Sequence, residues 1–237
     1  MRLVLFDIDG TLMLTGGAGM RAFYRALSQV FDIPVKSEVI RPDGKTDPLI
    51  AREFLAHFGQ EGRWNEKTRE VLFAAYLDFL EHEMQQAGKA DSIRILAGVR
   101  ELLDHLSGRP GYALGLVTGN LEGGARIKLR HAGLDHYFRF GGYGSDSENR
   151  TELIRLGMER GSILVSPAGV EASFVVGDTP LDIIHGHAAG ASVIAVASSR
   201  YSLSDLQAYN PDLLLPDLTP LDRIESFLEE QSRMSRN

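Results

Sequence analysis

Leu3-Val4-Leu5-Phe6-Asp7-Ile8-Asp9-Gly10-Thr11 sets four consecutive apolar residues against two carboxylates and a glycine. An apolar run this short, closed by a turn residue, reads as a strand buried on both faces, as in the interior of parallel sheets. Residues two apart in a strand point the same way, so Asp7 and Asp9 share one mouth of that sheet. At about 4 Å and an effective dielectric of about 20, their repulsion is about 4 kcal/mol. A divalent cation is the usual relief. Gly10 lets the backbone approach a ligand closely, and its amide with that of Thr11 can form an anion-binding nest. A solvated acidic turn after a core strand has the same local sequence, so the rest of the chain has to decide between the two.

Working outward, Gly16-Gly17-Ala18-Gly19 reads as a flexible joint, followed by helical spacing in Phe23, Ala26, Leu27, Val30 and Phe31 up to Ile33-Pro34. Asp47-Pro48 reads as an N-cap with proline at the first helical position, opening a helix that Gly59 closes. A longer helical pattern runs from about Asn65 to Gln86, and no strand pattern interrupts Ala18 to Gln86. From Ala97 the pattern changes to strands alternating with helices. The strands are Tyr112–Thr118, a short one around Phe138-Arg139-Phe140, Phe174–Asp178, Ser192–Ala197 and Leu213–Leu215. Helices are expected after Val99, over Glu122–Ala132, from Thr151, from Pro180 to Gly190, and at the C-terminal end, with a frayed tail after Glu230. This alternation implies an α/β fold: a doubly wound, Rossmann-like parallel sheet with ligands at the strands' carboxyl ends. The expected organisation is a core of residues 1–14 and 92–237 with an inserted all-helical cap over 15–91.

Composition narrows the function classes. The 237 residues carry a formal charge of −7 with no basic run, which disfavours nucleic acid and anionic membranes as partners. The absence of cysteine excludes disulfides, thiolate metal sites and cysteine nucleophiles. No apolar stretch approaches the roughly 18 residues of a membrane span, and Asp7 and Asp9 break the N-terminal run that a signal peptide would need. A cytoplasmic protein is expected, with no sequence signature of oligomeric state.

Three expected strands end in reactive residues: Asp7 and Asp9, then Thr118-Gly119-Asn120, then Gly177-Asp178-Thr179 with Asp182 shortly after. A doubly wound sheet gathers such ends at one edge. Here the chain resembles the haloacid dehalogenase-like hydrolases, in particular their phosphoglycolate phosphatase-like branch with a helical cap. The family's Asp-x-Asp-x-Thr is Asp7 to Thr11, its strand-ending Thr or Ser is Thr118, and its Gly-Asp-Thr-x-x-x-Asp is Gly177 to Asp182 with the spacer one residue shorter. The family's lysine ahead of that last motif is missing. Arg150 takes the role in this reading, with Arg126 and Lys128 as second candidates; a solvated first-turn arginine is the bland alternative for Arg150.

The resemblance implies a Mg²⁺-dependent phosphatase acting on a small-molecule phosphate monoester through an aspartyl-phosphate. In that scheme Asp7 is the nucleophile and Asp9 the general acid and base. Asp7, Asp9 (through its carbonyl), Asp178 and Asp182 serve the metal, with Asp182 alternatively a helix-start carboxylate. Thr118, Gly119, Asn120 and Arg150 hold the phosphoryl oxygens. The presence of Asp9 favours phosphate over haloacid. Lys45, in the polar loop Arg41 to Asp47, reads first as an exposed turn lysine and second as a cap arm reaching a substrate anion. Gly44-Lys45-Thr46 mimics the end of a P-loop, but Val39 replaces the leading glycine and no strand precedes it. His185 and His187 read as packing or surface residues. Rival readings are a phosphomutase or phosphonate hydrolase on the same scaffold, a receiver-like signalling domain, or a degenerate binding protein.

Overall fold

A strand hidden on both faces needs neighbours along both edges and cover above and below, and the opening strand has both. The computed structural model describes residues 1–34 and 40–234. Its strands are β1 (Arg2–Phe6), β2 (Met13–Leu14), β3 (Arg94–Ile95), β4 (Tyr112–Thr118), β5 (Gly141–Tyr143), β6 (Ala172–Gly177), β7 (Ser192–Val196) and β8 (Leu213–Leu215). Its helices are α1 (Ala18–Phe31), α2 (Asp47–His57), α3 (Glu66–Lys89), α4 (Val99–Ser107), α5 (Glu122–Ala132), α6 (Arg150–Leu164), α7 (Pro180–Ala189), α8 (Leu203–Gln207) and α9 (Leu221–Met234). Six strands form one parallel sheet in the order β5-β4-β1-β6-β7-β8, while β2 and β3 make a small antiparallel pair. This is the Rossmann-like α/β architecture expected from the alternation of strands and helices.

Alternate residues of β1 feed two separate cores. Val4 and Phe6 pack with Phe174 and Val176 on one face; Leu3 and Leu5 pack with Val117, Val175 and Ile183 on the other. That is why the strand lacks a polar alternation. From β1 the chain passes to β4 and β5 on one side, then crosses to β6 on the other, so β1 sits at the reversal of strand order. In such sheets ligands bind outside the carboxyl ends at that point.

Helices α1, α2 and α3 are inserted between β2 and β3. Phe23 of α1 meets Tyr76 of α3 edge-on, with centroids 4.9 Å apart, and Glu83 takes both Arg21 and Arg25 at 2.8 Å. Gly123 and Gly124 on α5 leave space for Leu77, Tyr76 and Leu80, so α3 rests on the helix that follows Thr118. No helix among the described residues is long and apolar enough to cross a membrane.

Several expectations shift. The strand placed around Phe138–Phe140 forms instead at Gly141–Tyr143, where a side chain on Gly142 would fall 1.8 Å from the Leu153 carbonyl. Only glycine fits between β4 and α6 there, and a propensity reading disfavours glycine in strands. Helix α1 begins at Ala18, inside the stretch read as a joint, with Gly17 capping it at φ 82°. Thr46, not Asp47, caps α2, its hydroxyl accepting from the Leu49 amide. The C-terminal helix continues past Glu230 to Met234, and residues 235–237 lie outside the described residues, as does the Val39 that entered the P-loop argument.

Candidate active site

Register builds the site. Phe6 pairs with Leu116 on one side and Val176 on the other, so the next one or two residues of all three strands open into one crevice. Asp7, Thr118 and Asp178 stand there, all buried, and the Asp7 amide donates to the Val176 carbonyl at 2.9 Å. Carboxylate oxygens of Asp7, Asp178 and Asp182 lie within 4.8 Å of one another. Thr11 donates its hydroxyl to Asp178 at 3.0 Å, and Ser199 donates to the other oxygen. Asp182 opens α7: one oxygen accepts from the Thr179 amide at 3.0 Å and hydroxyl at 2.7 Å, while the other is paired with Arg150.

Arg150, first residue of α6, is 4% exposed and lies 3.3 Å from Asp7. Its Nη1 donates to the Gly44 carbonyl at 3.3 Å, and its buried Nε has no partner among the described residues. Burial works to lower its pKa, but Asp182 and Asp7 outweigh this and raise it, so the guanidinium stays charged. One guanidinium against three carboxylates leaves the cradle short of positive charge. Burial pushes Asp7 up to about 7 despite Arg150, with Asp182 and Asp9 adding to the rise. Burial, Asp182 and Asp7 push Asp178 up to about 8 against the Ser199 and Thr11 hydroxyls. A hard oxygen donor set with surplus negative charge fits Mg²⁺.

Asp9 faces the same opening but belongs to a second group. Lys128 Nζ lies 2.6 Å from Asp9 Oδ2 and 2.7 Å from Asn120 Oδ1, and Asn120 Nδ2 donates to Asp9 at 2.8 Å and to Thr118 Oγ1 at 2.7 Å. The Lys128 side chain is 5% exposed, whereas that of Asp9 is 44% exposed. Helix α5 thus delivers a buried cation to the base of a carboxylate that is open to the cavity. Of the second candidates for the missing lysine, Lys128 is in the site but attends Asp9. Arg126 is not there: it is exposed and paired with Glu122 one turn earlier on α5.

The inserted segment reaches the site through the loop before α2. Lys45 is paired with Glu53 at 2.6 Å. Its carbonyl lies so near Gly119 that an added Cβ would sit 2.0 Å away. Asp47 donates its amide to the Gly119 carbonyl at 2.8 Å and accepts the Leu121 amide at 2.9 Å on its carboxylate. Burial pushes Asp47 up to about 6, with Lys128 and the Leu121 amide opposing. A cavity of about 480 Å³ opens between this loop, α1, α3 and the strand ends, lined by Asp7, Asp9, Thr118, Lys128 and Arg150 among others. His185 binds the Thr151 hydroxyl at 2.8 Å and His187 pairs with Asp212, both as structural residues.

Sequence reasoning missed Asp47, taken for a helix cap, and the Ser198-Ser199 pair after β7. Ser198 donates to the Gly10 carbonyl at 2.5 Å and Ser199 to Asp178. The signal for the serines was available, since they end a fourth strand at the same sheet edge.

Residues 4–196 match the family described as haloacid dehalogenase-like hydrolase. The chain is 27% identical over 237 residues to a pyrophosphatase PpaX of Bacillus cereus, spanning 99% of this chain and 98% of that protein. A predicted phosphatase from Clostridium acetobutylicum superposes with a TM-score of 0.68 at 21% identity, covering 97% and 98% of the two chains. A β-phosphoglucomutase from Clostridium difficile superposes at 0.72 with 16% identity and 97% coverage of both. These two solved structures share the fold. With the family profile spanning most of its length, the chain belongs to the haloacid dehalogenase-like hydrolases.

Proposed function

We propose that this hydrolase is a Mg²⁺-dependent phosphatase that cleaves a small phosphate monoester through a phosphoaspartate on Asp7. The observation that carries the reading is the buried Asp7 carboxylate, set beside Arg150 and Asp178 at the reversal of the sheet. Asp7 and Asp178 would hold the metal with their carboxylates and Asp9 with its carbonyl, while Asp182, the third carboxylate of the group and ion-paired with Arg150, fixes that guanidinium and the start of α7. Bound there, Mg²⁺ supplies the positive charge that lets an anionic nucleophile meet an anionic phosphoryl group.

Asp7 attacks phosphorus, the bond to the ester oxygen breaks, and that oxygen takes a proton from Asp9. Asp9 then accepts a proton from water, whose oxygen attacks the phosphoaspartate, releasing inorganic phosphate and restoring Asp7. Thr118 and the backbone at Gly119 and Asn120 receive the phosphoryl oxygens, with the Arg150 guanidinium lining the same cavity. The helices α1 to α3 act as a cap that excludes bulk water while Asp7 attacks the phosphate ester. Relatives named pyrophosphatase support phosphate as the group attacked. Lys45, held against Glu53, is poorly placed to form the Schiff base that a phosphonate hydrolase would require.

A panel of phosphate monoesters with and without Mg²⁺, using Asp7→Asn as control, tests the reading. Metal-dependent phosphate release that Asp7→Asn abolishes is expected. Release that survives EDTA or the Asn variant would overturn it.

A further inference from the structure

Every cation lining the cavity among the described residues is already matched by a carboxylate. Lys128 is 2.6 Å from Asp9, Lys45 2.6 Å from Glu53, Arg200 2.5 Å from Asp43, and Arg150 is held by Asp7 and Asp182. Asp9, Asp43 and the buried Asp47 also line the space beyond Asp7, where the leaving group has to sit. An apolar part of the wall is built from Leu14, Met20, Phe23, Ile50 and the ring of Tyr76, alongside the hydroxyls of Thr15, Thr179 and Ser199. The first turn of α1 is a further positive feature there, and a helix end is worth only about half an elementary charge.

We propose that the alcohol esterified to the phosphate is uncharged and hydroxylated, of the polyol or sugar kind, and that the site selects against a leaving group bearing a second anion. The inference rests on the phosphatase reading and narrows its substrate. A carboxylate or second phosphate in the leaving group finds no unpaired side-chain cation among the described lining residues, and it meets Asp47, whose charge no ion pair offsets as Lys128 and Arg200 offset those of Asp9 and Asp43. Such like-charge juxtaposition is a strong basis for rejection. A neutral alcohol instead lays its carbon skeleton on the apolar wall and donates its hydroxyls to Asp47 and Asp43. Asp47 carries the selection because it is buried, held from below by the Leu121 amide, and contributed by the inserted segment.

The test compares kcat/KM with Mg²⁺ for glycerol phosphate and a pentose phosphate against 2-phosphoglycolate and pyrophosphate, with an aryl phosphate as a general reporter. The neutral esters should exceed the anionic pair by at least about tenfold. Asp47→Asn, which keeps the size and removes the charge, should narrow that gap chiefly by lowering KM for 2-phosphoglycolate. Pyrophosphate or 2-phosphoglycolate equalling the neutral esters overturns this inference and leaves the phosphatase reading standing. No turnover of any member, the aryl phosphate included, removes both. Should Asp47→Asn fail to fold, the wild-type comparison alone decides.

Discussion

At the scale of single residues, the site separates two carboxylates that lie two positions apart in sequence. Asp7 faces Asp178, Asp182 and Arg150, while Asp9 faces Lys128 and Asn120. Because burial destabilises the charged form of Asp7, its neutral isostere is tolerated: Asp7→Asn should abolish turnover without lowering the melting temperature, as activity and thermal unfolding will show. Lys128 contacts Asp9 and Asn120, so in the proposed mechanism its part is to position Asp9. Lys128→Met should lower kcat by about 10–100-fold, with a smaller change in KM, in steady-state kinetics. Asp47 sets a pH dependence. Its folded pKa of about 6 lies above its ordinary 3.8, so the folded state holds the proton more tightly. That contribution is complete below about pH 4 and is lost as pH rises through about 6, amounting to at most about 3 kcal/mol. Chemical denaturation between pH 4 and 7 should therefore give a flatter stability profile for Asp47→Asn than for the wild type.

At the scale of elements, the strands of the core were legible because burial on both faces leaves short apolar runs that their length and bounding turn residues separate from buried helices. Tyr112–Thr118, Leu213–Leu215 and helix Glu122–Ala132 stand where periodicity placed them. Strand β5 was not, because its two glycines are dictated by the neighbouring Leu153 and Leu116 backbone and not by strand propensity. The three strand-end motifs were legible as a set, since topology gathers them. Asp47 was not, because a helix-start aspartate and a buried acceptor of the Leu121 amide look alike in sequence. Close approaches between elements give a further prediction. A Cβ on Gly98, at φ +79°, would fall 2.1 Å from Leu218, where the chain entering α4 passes the segment before α9. Gly98→Ala should cost roughly 2 kcal/mol or more of stability in denaturant unfolding, with kcat of the folded fraction preserved.

At the scale of the whole molecule, a parallel sheet and an inserted helical block meet over one cavity, and the acidic cradle at its floor sets one guanidinium against three carboxylates. A divalent cation should then bind the folded chain and not the unfolded one. Saturating Mg²⁺ at about 100 times its dissociation constant stabilises by about 2.7 kcal/mol, or roughly 5–10 °C in melting temperature for a chain of this length. Asp178→Asn should remove most of that shift in a thermal scan. In the proposed mechanism Asp7 is the group that carries the phosphoryl moiety between the two half-reactions. Quenching a turnover mixture with borohydride converts an acyl phosphate to homoserine, and peptide mass spectrometry reads its position. The homoserine is expected at position 7 and to disappear when Asp7 is asparagine; phosphate release with residue 7 unmodified, or reduction at another carboxylate, would contradict it.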